Sequence, residues 1–169
     1  MPTPIHLLLI VTAVATALMA GLFFAWSVSV MPGIALLPDA AFIAAMRAMN
    51  KAILNPIFFA AFFGTLLLLP LSTWLHYSQP PSIRFWLLLA ATMLYGAGVF
   101  GVTFFGNVPL NDRLAAFSLS SASAGEIAAL RAGFEDPWNR LNNIRTISSI
   151  LSILLVIIAC LSPSSPSGK

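Results

Sequence analysis

Four long stretches of this chain are almost wholly apolar, and the polar residues between them cluster unevenly. Ile5 to Met31, Pro56 to Trp74 and Phe85 to Gly106 contain no Lys, Arg, Asp or Glu. A fourth stretch runs from about Pro137 to Leu161, with its apolar part beginning near Ile144. A helix crossing roughly 30 Å of hydrocarbon needs about 20 mostly apolar residues, so each stretch predicts a membrane-spanning helix. Local punctuation sets the expected ends. Pro32-Gly33 closes the first span, and Asn55-Pro56 reads as an N-cap and first-turn proline for the second. Pro80-Pro81-Ser82 precedes the third, and Asp136 is the expected cap of the fourth. The first span reads as a membrane helix rather than a cleaved leader. It has no basic flank, and its apolar run far exceeds the roughly 7–15 residues of a leader core.

The connections differ. Leu75 to Arg84 is short and predicts an antiparallel hairpin of the second and third spans. In the first connection, Phe42, Ala45, Met46, Met49 and Ile53 recur at steps of three and four, an apolar stripe on a short helix after Pro38-Asp39. Arg47 and Lys51 lie on another face, so this helix is expected along the interface or over the end of the bundle. The third connection, Asn107 to Asp136, predicts two short helices, Pro109 to Phe117 and Ala124 to Phe134, around a Ser-rich turn. Ser123 and Glu126 form a capping-box pattern for the second.

Composition names the solvent. The chain has 169 residues, 59% of them apolar and only 8% charged, against about a quarter charged in soluble domains. That shortage excludes a soluble globular enzyme and a disordered chain. Eight scattered Lys and Arg give a net charge of +3 without a basic run, so nucleic acid is not an expected partner. The single cysteine, Cys160, excludes an internal disulfide framework. The expectation is an all-α protein: one four-helix transmembrane bundle over residues 1–161, with short amphipathic helices in the first and third connections. A disordered tail is expected over 162–169. The small-residue line Ala13, Ala17, Gly21 and Ala25, and the group Gly96, Ala97, Gly98 and Gly101, predict close helix packing inside the bundle. A homo-oligomer face is the alternative use of such lines.

Four antiparallel spans put the first and third connections on one side. Eleven of the thirteen charged residues and all seven asparagines then fall at that end. The other end holds only His6, His76, Gln79, Arg84 and Lys169. Counting Lys and Arg, the rich end is expected to be cytoplasmic.

Within the rich end, Trp138, Asn142, Arg145 and Ser149 step by four, three and four and share a helical face. An ionisable group at membrane depth faces a bundle interior and a partner. For Arg145 the structural alternatives are snorkelling to headgroups or pairing with Asp112 or Glu135. Asn142 beside Arg145 makes an anion-polarising pair. Asn107-Val108-Pro109-Leu110-Asn111-Asp112 reads as the lip of the same pocket or as helix capping around Pro109. Trp26 approaches this end from the first span. Asn50 and Asn55 are further polar candidates, and Asn55 also has its capping role. No metal site is expected: His6 and His76 are far from the cluster and have no further ligand at helical spacing.

Four segments together resemble the anthrone oxygenase-like family of four-helix membrane proteins. They are Gly21 to Pro32 (GLFFAWSVSVMP), Met46 to Pro56 (MRAMNKAILNP), Asn107 to Asn111, and Trp138 to Thr146 (WNRLNNIRT). Some members oxidise anthrones to anthraquinones, with dioxygen as co-substrate and no known cofactor. The resemblance implies a lipophilic aromatic or quinonoid substrate. Such chemistry needs a base and an oxyanion stabiliser in a dry pocket. Arg145, Asn142 and Asn111 suit stabilisation, and Asp112 or Glu135 suits the base. Trp26 and Trp138 suit stacking on a flat substrate, with Asn107, Asn50 and Asn55 as further binding residues. The competing expectation is a non-catalytic membrane protein that binds a lipid, small ligand or partner protein at this end.

Overall fold

A computed structural model describes residues 3–162, and within them every regular element is helical. The tail expected to be disordered lies, beyond Ser162, outside the described residues. Five helices follow one another: α1 (Pro4–Ala35), α2 (Asp39–Ile53), α3 (Pro56–Leu75), α4 (Ile83–Ala116) and α5 (Ala124–Leu161). All except α2 are long and apolar enough to cross a bilayer, as a multi-pass membrane protein requires. The four rods form a ring in which α1 packs on α3, α3 on α4, α4 on α5 and α5 on α1. Local chemistry sets the starts. Thr3 and His6 box the beginning of α1, Asn55 caps α3, Ser82 caps α4, and Ser123 with Glu126 boxes α5.

The rods are unequal in length. At 1.5 Å per residue, α5 with its 38 residues is about 57 Å long, while α3 with 20 residues is only about 30 Å. Three rods therefore continue past the level at which α3 begins, and α2 packs across that end against α4 and α5. Two apolar cores result. The membrane-level core centres on Met19, Phe23, Phe62, Leu69, Leu88, Tyr95 and Val99. The second core joins Met31 of α1, Phe42, Ile43 and Met46 of α2, Leu114 of α4, and Leu130, Phe134 and Trp138 of α5.

Several expected boundaries change. The predicted helices 109–117 and 124–134 are helical, but they are continuous with the third and fourth spans. Asp136 therefore lies inside a helix instead of capping one. Pro137 costs α5 one backbone bond, to the Gly133 carbonyl. Both residues are exposed, so that carbonyl lies on an open face of the helix. Pro32 and Pro109 do not end their helices either. Each follows a π-helical stretch, Trp26–Val30 and Thr103–Asn107 respectively, and the wider turn absorbs the proline. A further π-helical stretch covers Gly96–Gly101.

The small-residue expectation holds at Gly98 of α4 and at Ala13 of α1, which packs on the core, and fails at Gly96 and Ala97 and along the rest of the α1 line. Gly98 lies against Ser148 of α5 with no room for a Cβ. Ala17, Gly21 and Ala25 point outward, and nothing stands within 4 Å of a Cβ placed on Gly21. The inward face of α1 is instead Leu9, Thr12, Thr16, Met19, Ala20 and Phe23.

Candidate functional site

The short α3 leaves space between the two cores, and a cavity of about 620 Å³ occupies it, lined by all five helices. Its walls are mostly aromatic: Phe23 and Trp26 of α1, Phe58, Phe59, Phe62 and Phe63 of α3, Phe100 and Phe104 of α4, and Trp138 of α5. The rings contact one another. Trp26 and Trp138 have centroids 5.2 Å apart, Phe58 stacks on Phe62 at 5.3 Å, and Phe100 stacks on Phe104 at 6.1 Å. Polar groups gather toward the α2 end: Arg47, Asn50 and Lys51 on α2, Asn107, Asn111 and Asp112 on α4.

Arg145 of α5 also lines the cavity, with 7% of its surface exposed. Its guanidinium lies between two rings, 4.6 Å from the centroid of Phe23 and 5.2 Å from that of Trp138. Nη2 donates to Asn142 Oδ1 at 2.8 Å and Nη1 to Thr103 Oγ1 at 3.4 Å, while Nε–H has no acceptor. Among the described residues no carboxylate lies within 4.0 Å of it. Both structural expectations for Arg145 are thereby corrected, because it neither snorkels nor pairs with an acid. Glu135 instead bonds Arg131 Nε at 2.7 Å, which removes it from the candidate bases. Arg131 also donates to the carbonyls of Ala35 and Leu37 and to Asp39, pinning the end of α1 and the start of α2 onto α5.

Of the residues proposed from sequence, Trp26, Asn50, Asn107, Asn111, Asp112, Trp138 and Arg145 line the cavity together. Asn142 and Asn55 do not. Asn142 is fully buried behind Arg145, donating to Phe23 O at 3.2 Å and Ser27 Oγ at 2.8 Å while accepting from Arg145. It ties α1 to α5 and orients the guanidinium. Asn55 is occupied by its cap, accepting from Phe58 N at 3.0 Å and donating to Ala52 O at 2.9 Å. Asn111 Oδ1 accepts from Trp138 Nε1 at 2.9 Å and fixes that ring. Asn107 donates to Trp138 O at 3.4 Å, and its buried Oδ1 has no donor.

Thr103, the α3 and α4 phenylalanines, Arg47 and Lys51 are wall residues that the sequence reading missed. The phenylalanine pairs at 58–59 and 62–63 repeat at one helical turn, which was the available signal. Arg47 also clamps the end of α4, donating to the Leu114 carbonyl at 2.8 Å and to that of Phe117. A cation there complements the negative helix terminus.

The histidines are elsewhere. His6 bonds Thr3 at the start of α1, and His76 Nδ1 bonds Ser72 O at 2.7 Å at the end of α3. Among the described residues no three His, Cys, Asp or Glu side chains gather in one place.

Residues 55–155, more than half of the chain, match the family described as anthrone oxygenase. That match contains the Asn107–Asn111 and Trp138–Thr146 segments and begins after the Gly21–Pro32 stretch. Neither the curated proteins nor the solved structures compared with the chain include a match. Four membrane-length helices around an aromatic cavity, together with a family match running through α3, α4 and most of α5, lead to one conclusion: this chain belongs to the anthrone oxygenase family.

Proposed function

We propose that the chain binds a flat lipophilic aromatic or quinonoid molecule in this cavity and oxidises it with dioxygen, without a bound cofactor. One observation carries the reading: Arg145 is a buried cation on the wall of an aromatic cavity, with no acidic partner among the described residues and a buried Nε–H that has no acceptor. Leaving a charge so poorly compensated costs several kcal/mol. A ligand oxygen that acquires negative charge would meet that need, and fixed donors in a dry site stabilise such an oxygen strongly.

An anthrone has the required chemistry. It is neutral in lipid and loses a ring-carbon proton to give an enolate whose charge rests on oxygen. Arg145 holds that oxygen, and the Trp26, Trp138 and phenylalanine rings flank the fused rings. The enolate carbon transfers electrons to dioxygen as a C–O bond forms, and the resulting peroxide takes up a proton. Loss of the remaining C–H proton with O–O cleavage expels water and leaves the second carbonyl. One anthrone and one dioxygen thus give one anthraquinone and one water. Asp112, the carboxylate on the cavity wall, is the base in this reading, and the polar end beside Lys51 is the route by which protons leave. The bias of Lys and Arg assigns that end to the cytoplasmic side.

The test is turnover of anthrone by purified protein with and without oxygen. Quinone formation above autoxidation should require oxygen and fall by about 10²–10³ in Arg145→Met. Equal rates for the wild type and this variant overturn the reading. Asp112 is exposed, which is unusual for a base acting on a weak carbon acid. Arg145-dependent binding without turnover would therefore favour a non-catalytic carrier of the same ligands.

A further inference from the structure

We propose that the ligand reaches the cavity sideways, out of the bilayer, through the seam between α3 and α4, and in its uncharged form. This rests on the reading of the cavity as a ligand site.

The two helices part as they approach the cavity. Along Ile83–Tyr95, α4 packs on both α3 and α5, and from Gly96 onward its packing on α5 continues while that on α3 falls away. Phenylalanine rings cross the space left behind, Phe62 to Phe100 at 5.7 Å and Phe63 to Phe100 at 6.1 Å, beyond a last α4–α3 hydrogen bond from Tyr95 Oη to the Phe62 carbonyl at 3.0 Å. Three rings on this seam are substantially exposed. Phe59, Phe63 and Phe104 line the cavity, and 39%, 45% and 59% of their surfaces are accessible. The wall opposite is sealed, with Phe23, Trp138 and Arg145 all buried. Phe63 lies seven residues into α3, about 10 Å from its start, so the seam opens onto hydrocarbon rather than water. No Lys, Arg, Asp or Glu occurs in residues 56–75 or 85–111.

Rings packed edge and face without hydrogen bonds can rotate aside at little cost, whereas the α2 end is held by the Arg47 and Arg131 bonds to backbone carbonyls. A lipophile is also concentrated in the bilayer. An anion is not, since charge at membrane depth is expensive. The seam therefore admits the neutral ligand, and charge develops only once its oxygen has reached Arg145.

The experiment uses the full chain in phosphatidylcholine vesicles with Trp74→Phe and Trp86→Phe, so that Trp26 and Trp138 report cavity occupancy. Cys160→Ser removes the native thiol. Phe63→Cys and Phe100→Cys are joined by a reducible bifunctional thiol reagent. Anthraquinone, delivered from donor vesicles, is followed by quenching of the two tryptophans. Sealing the seam should slow quenching by about tenfold or more, and reductant should restore the rate in the same sample. In the uncross-linked background, Phe104→Ala should speed quenching. Uptake at the open rate through a sealed seam, or an unchanged rate in Phe104→Ala, overturns the proposal. If the unsealed protein shows no Arg145-dependent quenching, the ligand-site reading itself has failed and the seam falls with it.

Discussion

Replacing Arg145 by Met should leave the ligand-free protein about as stable as before. The guanidinium has one good hydrogen bond, to Asn142, one long bond, to Thr103, and two ring contacts. A bond to a charged group contributes about 1.5–3 kcal/mol and a neutral one about 1, and each cation–π contact about 0.5–2. Against these stand an effective desolvation cost of several kcal/mol per buried ion and about 1–3 kcal/mol for the orphaned Nε–H. The two sides nearly cancel. Methionine has a similar length and adds apolar burial without desolvation, but it leaves the buried Asn142 Oδ1 without its donor, at about 1–3 kcal/mol, so the expected change is within about 1 kcal/mol of zero. Asn142→Leu does the opposite. It leaves the cation in place, strips its best acceptor and cuts two α1–α5 bonds, for a loss of about 3–5 kcal/mol. The assay is thermal unfolding in detergent without ligand, and again with anthraquinone present. Arg145→Met should melt within a few degrees of wild type and lose all ligand-induced stabilisation. If Arg145→Met melts lower by more than about 1 kcal/mol, the guanidinium is a structural strut and the argument from its poor compensation is wrong.

Three other outcomes follow from the same geometry. Asn55→Ala should cost about 1 kcal/mol as a lost cap and leave anthraquinone affinity unchanged, because its side chain is spent on Phe58 and Ala52; a titration beside a melting curve checks both. Arg131→Ala removes the pin joining α1, α2 and α5; hydrogen exchange should rise across residues 36–53 while the membrane-level core keeps its protection. Burial holds the His76 imidazole below its usual pKa of 6.5, opposed by its bond to Ser72 and reinforced by Arg84 and His6. The unfolded chain therefore takes up a proton first. Stability should fall as pH drops through 6.5, level off below the folded-state value, and lose this component in His76→Gln.

Much of the fold was legible because the membrane simplifies the code. Uncharged stretches of sufficient length define spans, and the Asn55-Pro56 and Ser123–Glu126 patterns place two starts directly. The amphipathic stripe of α2 also reads plainly, since Phe42 and Met46 are buried where it predicts. The misreadings come from prolines. Pro32, Pro109 and Pro137 look like breaks, and their tolerance depends on wide turns or an exposed helix face that local sequence does not announce. In the site, the sequence brought out Arg145 and its asparagines because polar groups are rare in such a chain. It did not separate Asn142, which acts behind Arg145, from Asn111, which faces the cavity. Both lie among similar residues, and the difference is set by rotation about two different helices. The phenylalanine wall was hidden because aromatic residues on a membrane helix serve lipid and cavity equally well.

The π-helical turns before Pro32 and Pro109 have a consequence for how such a site arises and disappears. A π turn holds one residue more than an α turn of the same rise, so each amounts to a single-residue insertion retained in a membrane rod. Trp26 and Asn107 occupy these widened turns and reach the cavity from them. Removing one residue from either stretch would let that turn return to ordinary pitch while the side chains beyond it keep their facing, so the loss would fall on the widened turn itself, from which Trp26 or Asn107 reaches the cavity. The residue count of each widened turn thus governs the chemistry that the turn presents as firmly as the amino acids within it.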